Sequence, residues 1–84
     1  MEENIEMRGI PQAELQSALL ELGATKILPR MFQGDRWEVS LSEETFVTLG
    51  VIRLPVTQLK FRGEAETLKA VLKTFRLKTL RGGG

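Results

Sequence analysis

The 84-residue sequence contains no cysteine, no histidine and no tyrosine. The lack of cysteine excludes disulfides and thiolate metal ligands, and the lack of histidine removes the commonest general base. The few serines, Ser17, Ser40 and Ser42, do not stand in a nucleophile elbow. The adjacent acids Glu43 and Glu44 sit beside an expected turn, where water solvates them. We therefore predict that the chain is not an enzyme by itself and uses neither a metal nor another cofactor.

Long apolar runs are also missing from the sequence. No stretch approaches the roughly 18 residues that a membrane-spanning helix needs. The opening residues Met1, Glu2, Glu3 and Asn4 are acidic, whereas a signal peptide begins with positive charge and continues with an apolar stretch. These two features favour a cytoplasmic protein that does not insert into a membrane.

Overall charge is nearly balanced, with 12 basic and 11 acidic residues and a formal net charge of +1. The bases nevertheless gather at the end of the chain, because residues 67–84 hold no acid. Such a run is typical either of the solvated face of a terminal helix or of a docking face for an acidic partner or an anion. Since no aromatic residue interleaves these bases on an exposed strand, the pattern argues against nucleic acid as the partner. The candidate docking residues are Lys69, Lys73, Arg76, Lys78 and Arg81.

Apolar spacing along the chain predicts the element order β-α-β4-α. An antiparallel sheet with both helices packed on one face would bury the apolar stripes of all these elements, which defines an α+β fold. Trp37 alternates with Val39 and Leu41, so we expect it to lie in the core. The expected elements are a short strand around Ile5 and Met7, a helix at about 11–22, strands at about 27–32, 37–41, 45–54 and 56–62, and a helix at about 64–77. Pro29 breaks the run at 27–32, Gly50 is a candidate bulge or turn within 45–54, and Pro55 marks the break between the last two strands.

The chain ends in Leu80-Arg81-Gly82-Gly83-Gly84, which resembles the ending of ubiquitin. Consecutive glycines lack Cβ atoms, so they can pass through a narrow channel and present a terminal carboxylate to another enzyme's active site. The alternative is an inert terminus. The body does not match ubiquitin, since only about ten residues precede the first helix, too few for the hairpin that fold requires. We predict one α+β domain over residues 1–81 and a flexible glycine tail over residues 82–84.

The whole chain from Ile5 to Gly84 also resembles the C-terminal arm domain of bacterial MoaD-related proteins, relatives of the small sulfur-carrier subunit of molybdopterin synthase. The resemblance is carried by the order and spacing of five short motifs. These are Arg8-Gly9-Ile10-Pro11, Leu22-Gly23-Ala24-Thr25, Leu49-Gly50-Val51-Ile52-Arg53-Leu54-Pro55, Gln58-Leu59-Lys60-Phe61-Arg62-Gly63-Glu64 and Arg81-Gly82-Gly83-Gly84.

This resemblance implies a TATA-binding-protein-like β-α-β4-α fold and a role near molybdenum cofactor synthesis. The partners it implies are an adenylating enzyme that would act on Gly82, Gly83 and Gly84, or a molybdopterin synthase subunit. This chain lacks the ubiquitin-like part that carries sulfur in such proteins, so any carrier role depends on its own glycines. Two alternatives stay open: a protein-interaction or homodimerisation module with an inert tail, and an anion binder that uses the basic second helix.

Overall fold

The computed structural model describes residues 1–80, which form a six-stranded antiparallel sheet and two helices. The prediction of an α+β fold with an antiparallel sheet is confirmed. Both helices lie within one residue of their expected limits. The elements are β1 (Glu2–Arg8), α1 (Gln12–Glu21), β2 (Thr25–Leu28), β3 (Met31–Gly34), β4 (Trp37–Leu41), β5 (Thr45–Leu49), β6 (Ile52–Gly63) and α2 (Ala65–Lys78).

The number of strands between the helices is five, so the predicted order β-α-β4-α is corrected to β-α-β5-α. The apolar run expected as one strand folds into the β2–β3 hairpin, in which Leu28 pairs with Met31. Pro29 and Arg30 form the turn between them. The fixed φ of proline suits a turn and interrupts a strand, which explains why this run reverses direction.

The break expected at Pro55 is also corrected, because β6 runs through this residue and the chain turns at Gly50 instead. Gly50 adopts a φ of 63°, a left-handed conformation that glycine reaches without strain. The carbonyl of Pro55 accepts a hydrogen bond from the Gly9 backbone, 2.9 Å away, so the proline nitrogen faces the side on which β1 has already ended. Only the reciprocal bond to Gly9, at the very end of the ladder with β1, is missing, so proline is tolerated inside the strand.

The sheet has the strand order β1-β6-β4-β3-β2, and β5 continues the path of β4 along the same edge of β6. Strands β4 and β5 therefore act as one long partner of β6, interrupted at residues 42–44. Only β5 pairs with residues 52–55 of β6, because β1 reaches no further than the pair Arg8–Val56. This end of the long hairpin stands out from the sheet as a two-stranded ribbon.

Both helices pack on one face of the sheet, as predicted, and share a single apolar core. Trp37 is 6% exposed and stacks on Phe61, with ring centroids 6.2 Å apart, which confirms its predicted place in the core. Phe61 in turn meets Phe75 of α2 edge to face at 5.3 Å. From α1 the core receives Leu15, Ala18 and Leu19, and from α2 it receives Leu68, Leu72 and Phe75. The opposite face of the sheet is polar and carries Glu2, Asn4, Glu6, Glu38, Gln58, Lys60 and Arg62.

The start of α1 is fixed to the joint between β4 and β5 by polar contacts. Gln12 donates its backbone N–H to the Glu44 carboxylate at 2.6 Å, so an acid from another element occupies the positive end of the helix. The Gln12 side chain donates to the Ser42 carbonyl at 2.8 Å and to the hydroxyl of Thr57 at 3.2 Å. Thr57 is the buried polar residue among those described, and this contact satisfies its hydroxyl oxygen.

Candidate functional site

The end of α2 and the neighbouring strand β1 enclose an open groove, which we call the tail groove. Its volume is about 520 Å³, and it combines basic and apolar side chains. Leu80, the last residue described, lines the groove, so residues 81–84 follow in the chain directly after a groove residue. The lining residues are Glu3, Lys69, Leu72, Lys73, Arg76, Leu77 and Leu80.

Three of the predicted docking bases, Lys69, Lys73 and Arg76, meet in the tail groove. They recur at intervals of four and three residues, which places them on one side of a helix. Lys78 is not part of this group, because it faces α1 and forms an ion pair with Glu21 at 3.6 Å. Arg81 and residues 82–84, the other predicted site residues, lie outside the described part of the chain.

Sequence reasoning missed the apolar component of the tail groove. Leu77 and Leu80 are 65% and 73% exposed, although both are large apolar side chains. Their three-residue spacing beside Lys73 and Arg76 was a usable signal for an apolar patch at the helix end. Exposed apolar surface bordered by charge is typical of a site that binds another protein.

The charges of the tail groove are predominantly positive. Lys69 has an acidic neighbour on its own helix, Glu66 at 3.7 Å, and both side chains are largely exposed. An ion pair of this kind contributes little to stability and exchanges readily for another partner. The groove can therefore attract an acidic surface while Leu77 and Leu80 supply apolar contact.

A second exposed surface lies at the free end of the long hairpin, which we call the hairpin tip. Val51 is fully exposed at the turn, and Arg53 lies over the ring of Phe46 at 4.2 Å from its centroid. Cation–π contact of this kind holds the aromatic ring in place without burying it. The exposed apolar side chains of the hairpin tip are Phe46, Leu49, Val51 and Ile52.

Glu6 has a perturbed acidity. Its carboxylate accepts hydrogen bonds from Arg8 Nε at 2.6 Å and from the Gln58 amide at 2.7 Å. The Arg8 hydrogen bond, followed by that of Gln58, lowers the pKa of Glu6 below its ordinary value. Because the carboxylate is exposed on the polar face of the sheet and held by Arg8 and Gln58, its place favours a structural over a catalytic role.

Residues 1–80 contain no cluster of acidic side chains able to hold a metal ion. Within the same range, neither helix is long and apolar enough to cross a membrane.

The described residues form a small antiparallel α+β protein with an open groove of basic and apolar side chains beside Leu80. The model of the archaeal MoaD-like protein family matches residues 3–84, nearly the whole chain. The chain belongs to the archaeal MoaD-like family. No curated protein matches it. The predicted relationship to MoaD is thereby confirmed, whereas the finer expectations of a bacterial arm domain and a TATA-binding-protein-like topology stay predictions.

Proposed function

We propose that this chain is a non-enzymatic accessory domain of molybdopterin and sulfur-carrier metabolism, equivalent to the C-terminal arm of MoaD-related proteins, which acts through its terminal glycines in the cytoplasm. The observation that carries this proposal is the position of Leu80. The chain passes directly from a basic and apolar groove into Arg81, Gly82, Gly83 and Gly84. A partner that binds the tail groove would therefore receive the glycines at a defined point.

The proposed partner is an adenylating enzyme with an acidic docking surface. The Gly84 carboxylate would attack the α-phosphate of ATP and displace pyrophosphate, leaving an acyl adenylate. Hydrosulfide would then attack the carbonyl carbon of Gly84 and form a C–S bond as the C–O bond to AMP breaks, which leaves a thiocarboxylate on Gly84. All of this chemistry takes place on the enzyme, so the chain needs only a narrow terminus and a surface that aligns it.

Intact-mass spectrometry with the cognate adenylating enzyme, ATP and a sulfur source tests this proposal. We expect the mass increase that accompanies replacement of one oxygen by one sulfur, and no increase in a variant that lacks Gly84. Charge reversal in the tail groove, K73E with R76E, should slow the reaction by raising the apparent KM. Lys26→Glu is the matched control, since Lys26 lies on β2 outside the groove. An unmodified wild-type chain in the presence of active enzyme would overturn the proposal.

The hairpin tip supports a second candidate function, that of a protein-interaction module with an inert tail. Its exposed apolar side chains lie on a two-stranded ribbon, and none of them lines the tail groove. This function predicts that a molybdopterin synthase subunit binds the chain equally well with and without residues 82–84. Binding that disappears with V51S and I52S but survives removal of the glycines would favour this second function over the first.

A further inference from the structure

We propose that a second copy of this chain pairs with the outer edge of β1, so that two six-stranded sheets join into one continuous antiparallel sheet. The inference concerns the outer edge of β1, the strand that also contributes Glu3 to the tail groove, and it does not depend on whether the glycines are modified. It starts from the sheet order, in which β1 is a terminal strand. Among residues 1–80, no strand pairs with the outer edge of β1.

The backbone groups on that outer edge follow from the pairing of β1 with β6. Gly63 donates to the Met1 carbonyl at 3.1 Å and Gly9 donates to the Pro55 carbonyl at 2.9 Å. With the register in which Ile5 faces Leu59, odd-numbered residues of β1 therefore direct their N–H and C=O groups to β6. The four even-numbered residues direct theirs outward, and among residues 1–80 no strand pairs with this row of donors and acceptors. These residues are Glu2, Asn4, Glu6 and Arg8.

A two-fold symmetric pairing must match even-numbered residues with even-numbered residues, and their side chains select one register. Centring the axis at Ile5 places Glu2 opposite Arg8 of the second copy and Asn4 opposite Glu6 of the second copy. All four outward residues then find a backbone partner, and the two charged pairs have opposite sign. Cross-strand pairs of opposite charge favour a register, whereas like charges disfavour it.

The two neighbouring symmetric registers leave an outward residue without a backbone partner, and each places two acidic side chains opposite each other. A shift of the axis to Asn4 places Glu2 opposite Glu6 and leaves Arg8 without a partner. A shift to Glu6 places Glu6 opposite its own copy and leaves Glu2 without a partner. In the register centred at Ile5, β1 is complementary to a second copy of itself, as an isologous interface requires. This complementarity identifies a second copy as the occupant of the edge.

Sedimentation equilibrium on the full chain, from about 10 μM to about 1 mM, tests for the dimer. We expect the mass to rise from 9.4 kDa towards twice that value. Asn4→Pro should keep the chain monomeric, because the lost N–H faces outward and the bonds to β6 remain. Circular dichroism and the melting temperature of this variant should match those of the wild type. A monomeric wild type throughout the range, or a folded Asn4→Pro variant that dimerises like it, would overturn the proposal.

Charge variants test the register independently of the backbone. E2R alone places two arginine side chains opposite each other across the interface, and R8E alone places two glutamates opposite each other. Each variant should therefore weaken self-association on the order of tenfold. An equimolar mixture of the two variants should recover dimers, since both cross-copy pairs are again of opposite charge. Wild-type-like association is expected only in the mixture and not in either variant alone. If the wild type, both variants and the mixture associate equally, the register is wrong.

Amide hydrogen exchange distinguishes the second copy from other occupants of this edge. We expect the amides of Glu2, Asn4, Glu6 and Arg8 to gain protection as the concentration rises, in the full chain and in one that ends at Arg81. Protection that is independent of concentration and lost on that truncation would assign the edge to the chain's own terminal residues. If V51S and I52S abolish the dimer and the four outward amides of β1 gain no protection, association would be assigned to the hairpin tip. Either result overturns the proposal and leaves the thiocarboxylate test unaffected.

Discussion

Gly34 lies against the indole of Trp37, its cross-strand neighbour in the β3–β4 hairpin. A Cβ atom at Gly34 would overlap Nε1 and Cε2 of the ring. On the other side of the tryptophan, a Cβ at Gly63 would lie 2.9 Å from Trp37 Cα. Both glycines therefore leave space for Trp37. The indole covers Gly34 on the adjacent strand, an arrangement known from other sheets.

Gly34→Ala should destabilise the fold by about 1–3 kcal/mol, because the added methyl group must displace the indole from a packed core. Urea unfolding followed by Trp37 fluorescence measures this change, and the emission of the folded variant should shift to the red. Gly50→Ala is the matched control, since nothing lies within 4 Å of its Cβ position. Its left-handed backbone alone should cost about 1 kcal/mol, without a fluorescence change. An unchanged spectrum for Gly34→Ala contradicts the packing of Trp37.

Helices, the polar face of the sheet and most of the core follow from local periodicity, which depends only on neighbours along the chain. The stripe of α2 and the alternation from Trp37 to Leu41 were therefore predictable. The roles of Gly34 and Gly63 were not, because each depends on which strand lies beside it. The same holds for Pro55, whose tolerance inside β6 depends on where β1 ends.

The tail groove was predictable in part for the same reason. Lys69, Lys73 and Arg76 share one side of a helix, and this could be read from their spacing. That Glu3 closes the groove follows from the passage of β1 beside α2, which is a long-range relationship. Glu44 as the acid at the start of α1 is a further case, since 32 residues separate it from Gln12.

Phe75 and Leu77 should respond in opposite ways to substitution, although they are two residues apart on α2. Phe75 is completely buried, so Phe75→Ala should cost about 3–5 kcal/mol, and Phe75→Leu a smaller amount that keeps the chain folded. Leu77→Ala should change the free energy of unfolding by no more than about 0.5 kcal/mol, because this side chain is exposed. Chemical denaturation measures both. A large loss for Leu77→Ala would place it in the core instead of the tail groove.

The polar attachment of α1 should contribute measurably to stability. Gln12→Ala removes the side-chain bonds to Ser42 and Thr57 and should cost about 1–2 kcal/mol in thermal or urea unfolding. Glu44→Gln keeps an acceptor for the helix N–H but loses its charge, which should cost about 0.3–1 kcal/mol. Glu43→Gln is the control, since the Glu43 carboxylate is exposed and lies 3.9 Å from Arg30 in a weak surface ion pair. Equal effects of the two glutamate substitutions would show that Glu44 does not stabilise α1.

Glu6 should titrate below the ordinary range of glutamate, and Arg8→Ala should raise its pKa. A carboxyl group whose pKa is lowered on folding stabilises the fold above its unfolded pKa, and this contribution is lost as the pH falls through the folded pKa. The window therefore lies at and below the ordinary value of 4.5. Carboxyl-carbon NMR over this range measures the titration directly. Arg62→Ala is the control, because Arg62 pairs with Glu2 and not with Glu6; an equal effect of both variants would contradict the assigned cause.

The hairpin tip should tolerate polar substitutions that the buried Val56 of the same strand does not. Val51→Ser and Ile52→Ser should each change stability by no more than about 0.5 kcal/mol, because their side chains are exposed and pack on little within residues 1–80. Val56→Ser, four residues further along the same strand, should cost about 2 kcal/mol or more, since Val56 is only 5% exposed and the new hydroxyl would be buried. Urea denaturation of the three variants measures the contrast. Similar losses at all three positions would mean that the tip is part of the packed core, and its apolar side chains would then give no support to a role in protein interaction.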